Sequence, residues 1–254
     1  MRRFVVIPAL GRRALNEILR VPGAAIPGVL APTVFMLGIG AVFGNVTSLP
    51  GFNGLNDYLA FVLPVGLLQG AGFTGAATGV NLARDIEQGW FDRLLLAPIS
   101  RPLLLAGLIT SASLRALIPT TTLVAVGLVF GVKFPGVLEL LIAASLVMLL
   151  AACTACWGTI IALKFKTQQA APLMQVGSFI AVLFTAAYAP KDMLQPWLKA
   201  IATVNPVNYV LTGVRQGFIG SVSWADTWPA YVGVLGLLAV LGGFAVRGMM
   251  RMGR

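Results

Sequence analysis

The sequence has no histidine, only two cysteines and only eight acidic side chains among 254 residues. Without histidine, neither an H-E-x-x-H metal site nor a Ser-His nucleophile pair can be assembled. The phosphate-binding pattern G-x-x-x-x-G-K-[ST] is missing too, which excludes nucleotide hydrolysis by that device within this chain. The two cysteines, Cys153 and Cys156, have the C-x-x-C spacing of redox and metal motifs. They sit inside an apolar stretch, LLAACTACWGTIIAL, with no second pair to complete a tetrahedral site, and read as small helix-packing residues. The chain is expected to hold no metal and no cofactor of its own.

What the sequence does have is apolar surface. Hydrophobic residues make up 58% of it and charged residues 10%, and the mean hydropathy is +0.90. A chain of this composition is at home in lipid, and it reads as an all-α integral membrane protein. Apolar runs cover 24–44, 58–80, 103–132, 140–163, 171–189 and 229–246. Each is about the length needed to cross a hydrocarbon core with a helix of roughly 20 residues, which predicts six transmembrane helices and little room for a soluble domain. The first run does not read as a removable signal peptide, since five arginines precede it without a cleavage pattern of small residues.

Lys and Arg are unevenly distributed around these runs. Arg2, Arg3, Arg12, Arg13, Arg20, Arg84, Arg93, Arg101, Lys164, Lys166, Arg247, Arg251 and Arg254 fall on one side, against Lys133, Lys191, Lys199 and Arg215 on the other. The bias places both termini in the cytoplasm of a multi-pass protein of the cell (inner) membrane. It also accounts for the net charge of +10 without a nucleic-acid partner, because the positive charge is scattered over four short pieces. All eight carboxylates, Glu17, Asp57, Asp85, Glu87, Asp92, Glu139, Asp192 and Asp226, lie at run edges or in loops. A proton-coupled carrier usually needs an intramembrane acid or histidine, so proton antiport is disfavoured.

Three local features stand out. Residues 2–20 place Arg2, Arg13, Glu17 and Arg20 on one helical face and Phe4, Ile7, Leu15 and Ile18 opposite. This predicts an interfacial helix over 1–20 that touches lipid head groups. Glycines four residues apart (Gly40 and Gly44, Gly66 and Gly70, Gly75 and Gly79, Gly127 and Gly131) allow close helix approach. Arg115 is the one charge assigned to the interior of a run. Either it is buried and paired, or the span starts near it and 103–114 lie along the interface.

Between the second and third runs, 81–102 carries a tight knot of charge: Arg84, Asp85, Glu87, Asp92 and Arg93 around Gly89, with Trp90, Phe91, Leu94 and Leu95 as apolar anchors and Pro98 and Pro102 beyond. These charges are expected on a short helix at the cytoplasmic mouth, suited to seat in a groove on another protein. The stretch RDIEQGWFDRLLLAPISR, residues 84–101, resembles the coupling-helix region of ABC-2 type exporter permeases. The stretch 189–220, with Pro196-Trp197-Leu198, Asn205-Pro206, Gly213-x-Arg215 and Gly220, is similar to the region after the fifth span of the same family, in the style of daunorubicin-resistance permeases. Many relatives carry Thr-Leu or Thr-Phe where this chain has Trp90-Phe91.

The resemblance implies a single transmembrane domain over 1–254. A coupling segment at 81–102 would be pushed by a separate ATPase subunit that binds ATP and Mg, with Arg84, Asp85, Glu87, Gly89, Trp90, Phe91, Asp92, Arg93 and Leu94 as the contacts. It also implies a second permease subunit, as homodimer or heterodimer, and short re-entrant helices within 190–228. Arg115, Asn205, Pro206 and Arg215 are expected to be structural or gating residues. A substrate pathway drawn from the second and fifth runs would offer Gln69, Phe73, Thr74, Thr78, Gln175, Ser178, Thr185 and Tyr188. That lining is uncharged and sparsely polar, suited to a lipid or an amphipathic drug-like molecule. Ordinary interhelical hydrogen bonding is the alternative for each of the eight, and a non-transporting membrane scaffold or resistance factor that recruits a cytoplasmic partner is the alternative for the whole.

Overall fold

The computed structural model describes residues 26–44, 57–91, 93 and 100–252, and every regular element among them is helical. The α-helices in chain order are α1 (Ile26–Phe43), α2 (Tyr58–Glu87), α3 (Arg101–Arg115), α4 (Leu117–Val129) and α5 (Val137–Phe165). They are followed by α6 (Ala171–Leu183), α7 (Pro196–Val204), α8 (Pro206–Ile219) and α9 (Trp224–Arg251). The interfacial helix expected over 1–20, and Asp92, Leu94 and Leu95 of the charged segment, lie outside the described residues.

Among the described residues, four stretches are long and apolar enough to cross a membrane: Tyr58–Glu87, Arg101–Val129, Val137–Phe165 and Trp224–Arg251. The run at 24–44 forms the shorter apolar helix α1. The run at 171–189 is helical only as far as Leu183, a 13-residue helix. The third run is helical as far as Val129 but articulated at Ala116, where α3 hands over to α4. Pro119 explains the joint: it has no N–H to return to the carbonyl of Arg115 four residues back.

The second run extends further than its hydrophobicity. Asn81-Leu82-Ala83-Arg84-Asp85-Ile86-Glu87 contains no helix breaker, so α2 carries Arg84, Asp85 and Glu87 on its last turns instead of ceding them to a separate short helix. It stops at Gly89, whose φ of 71° lies in the left-handed region that glycine reaches without steric cost. Helical backbone resumes at Trp90, Phe91 and Arg93.

The core is built around α2, which is buried almost all round from Ala60 to Gly72 and packs on α1, α4, α5, α6 and α8. Its closest partner is α5. A side chain at Gly79 would overlap the backbone of Gly158, and one at Gly75 would run into Thr154 and Ala151. Of the four glycine pairs, Gly75 and Gly79 thus form a single contact face. Gly127 meets Leu63 and Gly40 meets Leu59, whereas a Cβ at Gly131 would meet nothing among the described residues. Cys153 and Cys156 are both buried on α5; the Cys153 thiol donates to the Val234 carbonyl at 3.5 Å, and Cys156 belongs to a core cluster with Leu82 and Ala245.

Candidate functional site

Three parts of the molecule carry the residues singled out from the sequence: the end of α2 with the turn beyond it, the irregular segment after α6, and the space between α5, α6 and α9.

At the first, the exposed Glu87 reaches across to the loop between α5 and α6. Its carboxylate accepts from the Thr167 hydroxyl at 3.3 Å and from the Gln168 backbone and side-chain amides, both at 3.2 Å. Thr167 in turn caps the 3-10 turn Gln168–Ala170. The end of α2 and the α5–α6 loop are therefore tied to each other. Trp90 and Phe91 divide their roles. Phe91 is 1% exposed, packed with Leu82, Leu104, Leu105, Leu163 and Met249, while Trp90 is 52% exposed. Arg84 and Arg93 are exposed as well. Arg101, at the start of α3, donates to the Met250 carbonyl at 2.8 Å and so meets the C-terminal end of α9, where helix carbonyls concentrate negative charge.

At the second, the backbone from Phe184 to Tyr188 leaves the helix, and its polar groups are met one by one. Asn205 caps α8 by accepting from Val207 N at 3.0 Å, and its amide donates back to the carbonyls of Ala181 and Phe184 at 2.8 and 2.9 Å. Asn208 accepts from Ala186 N at 2.9 Å. Arg215, read from sequence as an outer-loop cation, is 7% exposed in the core. It donates to the carbonyls of Phe61, Ala186 and Ala187 at 3.1, 2.8 and 2.8 Å, and its guanidinium carbon lies 3.7 Å from the centre of the Phe61 ring, a close cation–π contact. Arg115 therefore does not have the interior to itself. The correction follows from helix register: α8 is apolar on one face, and Arg215 falls on that face among Leu211, Val214 and Phe218. Pro206 occupies the first turn of α8, where its missing N–H costs nothing. Tyr58 closes the arrangement, its hydroxyl donating to the Tyr188 carbonyl at 2.8 Å.

The eight residues proposed as a pathway are not gathered around one space. Gln69 donates to the Tyr188 hydroxyl at 3.2 Å. Thr78 accepts from Arg115 at 2.7 Å, which gives that arginine a partner on α2. Thr185 is buried and donates to the Val182 carbonyl at 2.6 Å, and Ser178 donates to that of Gln175 at 2.8 Å. Phe73 and Thr74 are half-buried on α2, with Thr74 facing Gly28 of α1. Only Ser178 lines the cavity of about 330 Å³ that lies between α2, α5, α6 and α9. The rest of its wall includes Leu68, Gly72, Leu150, Trp157, Gly177 and Leu241, none of them picked out beforehand as pathway residues. One signal was available: a tryptophan deep in an apolar run is out of place, since membrane tryptophans favour the interfaces.

Long apolar helices in a chain with so few charged side chains define the class of multi-pass membrane proteins. The ABC-2 type transporter model matches residues 6–219, and the chain belongs to that family. It is 26% identical over 240 residues to the daunorubicin resistance ABC transporter permease protein DrrB1 of Streptomyces coeruleorubidus, covering 92% of this chain and 82% of the relative. It is 27% identical to the putative transport permease ycf38 of Porphyra purpurea, covering 96% and 88%. It is 24% identical to the probable doxorubicin resistance ABC transporter permease protein DrrC of Mycobacterium tuberculosis, covering 87% and 77%.

Proposed function

We propose that this chain is the membrane-spanning subunit of an ATP-driven exporter, taking mechanical work at its inner end from a separate ATPase subunit that binds ATP and Mg. The observation that carries the reading is the division between Trp90 and Phe91. One ring roots the segment in the subunit's own core and the other stands in solvent beside Arg84 and Arg93, which suits a projecting apolar anchor flanked by charge for docking on another protein. The Glu87 contact with Thr167 and Gln168 would carry a push on that anchor to α6 as well as to α2.

In the topology we propose, α1, α2, the α3–α4 pair, α5, α6 and α9 form six spans with both termini in the cytoplasm. The segment 184–219 dips into the outer leaflet, α7 and α8 being its re-entrant helices. Irregular backbone is tolerable at that depth only when protein satisfies it, and the bonds from Asn205, Asn208 and Arg215 supply what is required. Two such subunits, identical or paired with a close relative, would assemble with two ATPase subunits. The exported molecule would be an amphipathic drug or lipid-like compound; the relatives named for daunorubicin and doxorubicin resistance favour a drug.

The test is reconstitution of the chain with its partner ATPase in vesicles. ATP-dependent efflux of an amphipathic dye is expected, together with loss of ATPase stimulation on Trp90→Ala. A protein that binds the ATPase yet moves nothing under ATP would be a scaffold, and labelling of a Trp90→Cys variant from outside the cell would overturn the orientation.

A further inference from the structure

The cavity between α6 and α9 has a chemistry of its own. These two helices make at most marginal contact with one another, and both lean on α5, which floors the gap. Its walls are chiefly Leu68, Leu150, Val182, Leu237 and Leu241, and its polar groups are nearly all spent. Ser178 Oγ donates to Gln175, Thr154 Oγ1 to Leu150 and Ala151, and Asn205 Nδ2 to Ala181 and Phe184. The exception is Trp157, whose Nε1 is buried and has no hydrogen-bond partner among the described residues. The indole is seated against Gly177, where a Cβ would come within 2.7 Å of Nε1, so the glycine is what lets the ring lie there.

We infer that each subunit carries, within itself, a binding site at this cavity for a small uncharged ring compound bearing a single carbonyl or ether acceptor, to which the Trp157 indole N–H donates. A buried donor without a partner costs free energy that an incoming acceptor recovers, while the aliphatic walls select for apolar rings and exclude charge. Depth argues against a phospholipid as the occupant. Trp157 lies seven residues from Lys164 along α5, about 10 Å into the membrane at 1.5 Å per residue, where a lipid offers only methylene groups and its ester carbonyls are nearer the surface. The inference rests on the proposed topology only in placing Lys164 and Lys166 at the membrane surface.

Benzophenone has the required features, two rings and one carbonyl, and it inserts into neighbouring C–H bonds on irradiation. With tritiated benzophenone and the full permease–ATPase complex in nanodiscs, labelling is expected to be saturable and to map to α5 near Trp157 and α6 near Ser178. Diphenylmethane, the same shape without the carbonyl, should compete about fivefold less well, the worth of one neutral hydrogen bond. Trp157→Phe should bring the two compounds level, and Ser178→Leu should abolish saturable labelling by filling the space. Labelling that never saturates, or equal competition by the two compounds in the wild-type complex, would overturn the proposal. So would displacement of the label by stoichiometric phosphatidylcholine added to delipidated protein, which would make this a lipid site. Should Trp157→Phe fail to fold, the ratio of the two competitors on wild-type protein decides alone. No arm consumes ATP, so saturable labelling alongside absent ATP-dependent efflux in the vesicle test would count against the exporter reading and leave this site standing.

Discussion

Trp90 and Phe91 are adjacent in sequence and face opposite ways, and substitutions at the two should separate cleanly. Phe91→Ala empties a filled position in the inner core and should cost about 3–5 kcal/mol of stability, read as a lower melting temperature in detergent. Trp90→Ala removes a ring that is 52% exposed and should shift melting far less than Phe91→Ala, by about 1 kcal/mol or below, yet weaken binding to the ATPase subunit by about 2 kcal/mol or more if the ring is an anchor. Arg215 makes the converse case, a charge whose whole role is internal. Arg215→Met keeps the bulk but strips the carbonyls of Phe61, Ala186 and Ala187 of their donor, at about 1–3 kcal/mol for each group left bare. Cysteines placed at 185–188 should then become more reactive to a membrane-permeant maleimide. Arg215→Lys would restore the charge without the fork that reaches three oxygens, and should recover only part of the loss.

Among the elements, the α2–α5 contact is the tightest. Gly79→Val forces a branched side chain into the backbone of Gly158, and the helices must part. A loss of about 1–3 kcal/mol is expected, with ATPase stimulation impaired even where the protein still inserts. The articulation between α3 and α4 holds Arg115 against Thr78. Arg115→Leu should impair transport, Thr78→Val should reproduce part of that defect, and the double variant should be less than additive; full additivity in a reconstituted efflux assay would mean that the pair is not coupled. How far these elements could be read from residue types differs from one to the next. The locations of α2, α5 and α9 follow from hydrophobicity alone, because each is a long uninterrupted apolar run. Their ends do not, because hydrophobicity stops at the edge of lipid while a helix stops where its backbone is interrupted, as at Gly89. The failure at 184–189 has the same origin in reverse: the run remains apolar through Ala189, yet the helix ends at Leu183, since side chains 20 to 30 residues later satisfy the freed carbonyls. Charge marked the end of α2, where Glu87 bonds to the Thr167–Gln168 turn, because that chemistry is local. The cavity wall around Trp157 was not marked, because it draws on helices far apart in sequence and on side chains that would pass for ordinary packing.

For the molecule as a whole, the missing phosphate loop leads to a direct expectation: the purified chain hydrolyses no nucleotide, and activity appears only when the partner ATPase is added, measured as phosphate release. Glu87 ties the end of α2 to the Thr167–Gln168 turn, and under the proposed function the two should move together. Glu87→Ala should release that turn and lower the stimulation of the ATPase, whereas Glu87→Gln, which still offers an acceptor oxygen, should lose less. The bonding of Arg215 also bears on biogenesis. The carbonyls of Ala186 and Ala187 leave the ribosome 29 and 28 residues ahead of the guanidinium that receives them. In the proposed topology, a nascent chain that has just delivered α6 cannot be released to the bilayer as a finished span. It has to be retained at the translocon until α8 arrives, and chains truncated between Tyr188 and Arg215 should remain crosslinkable to the insertion machinery, where chains ending beyond Gly220 are let go.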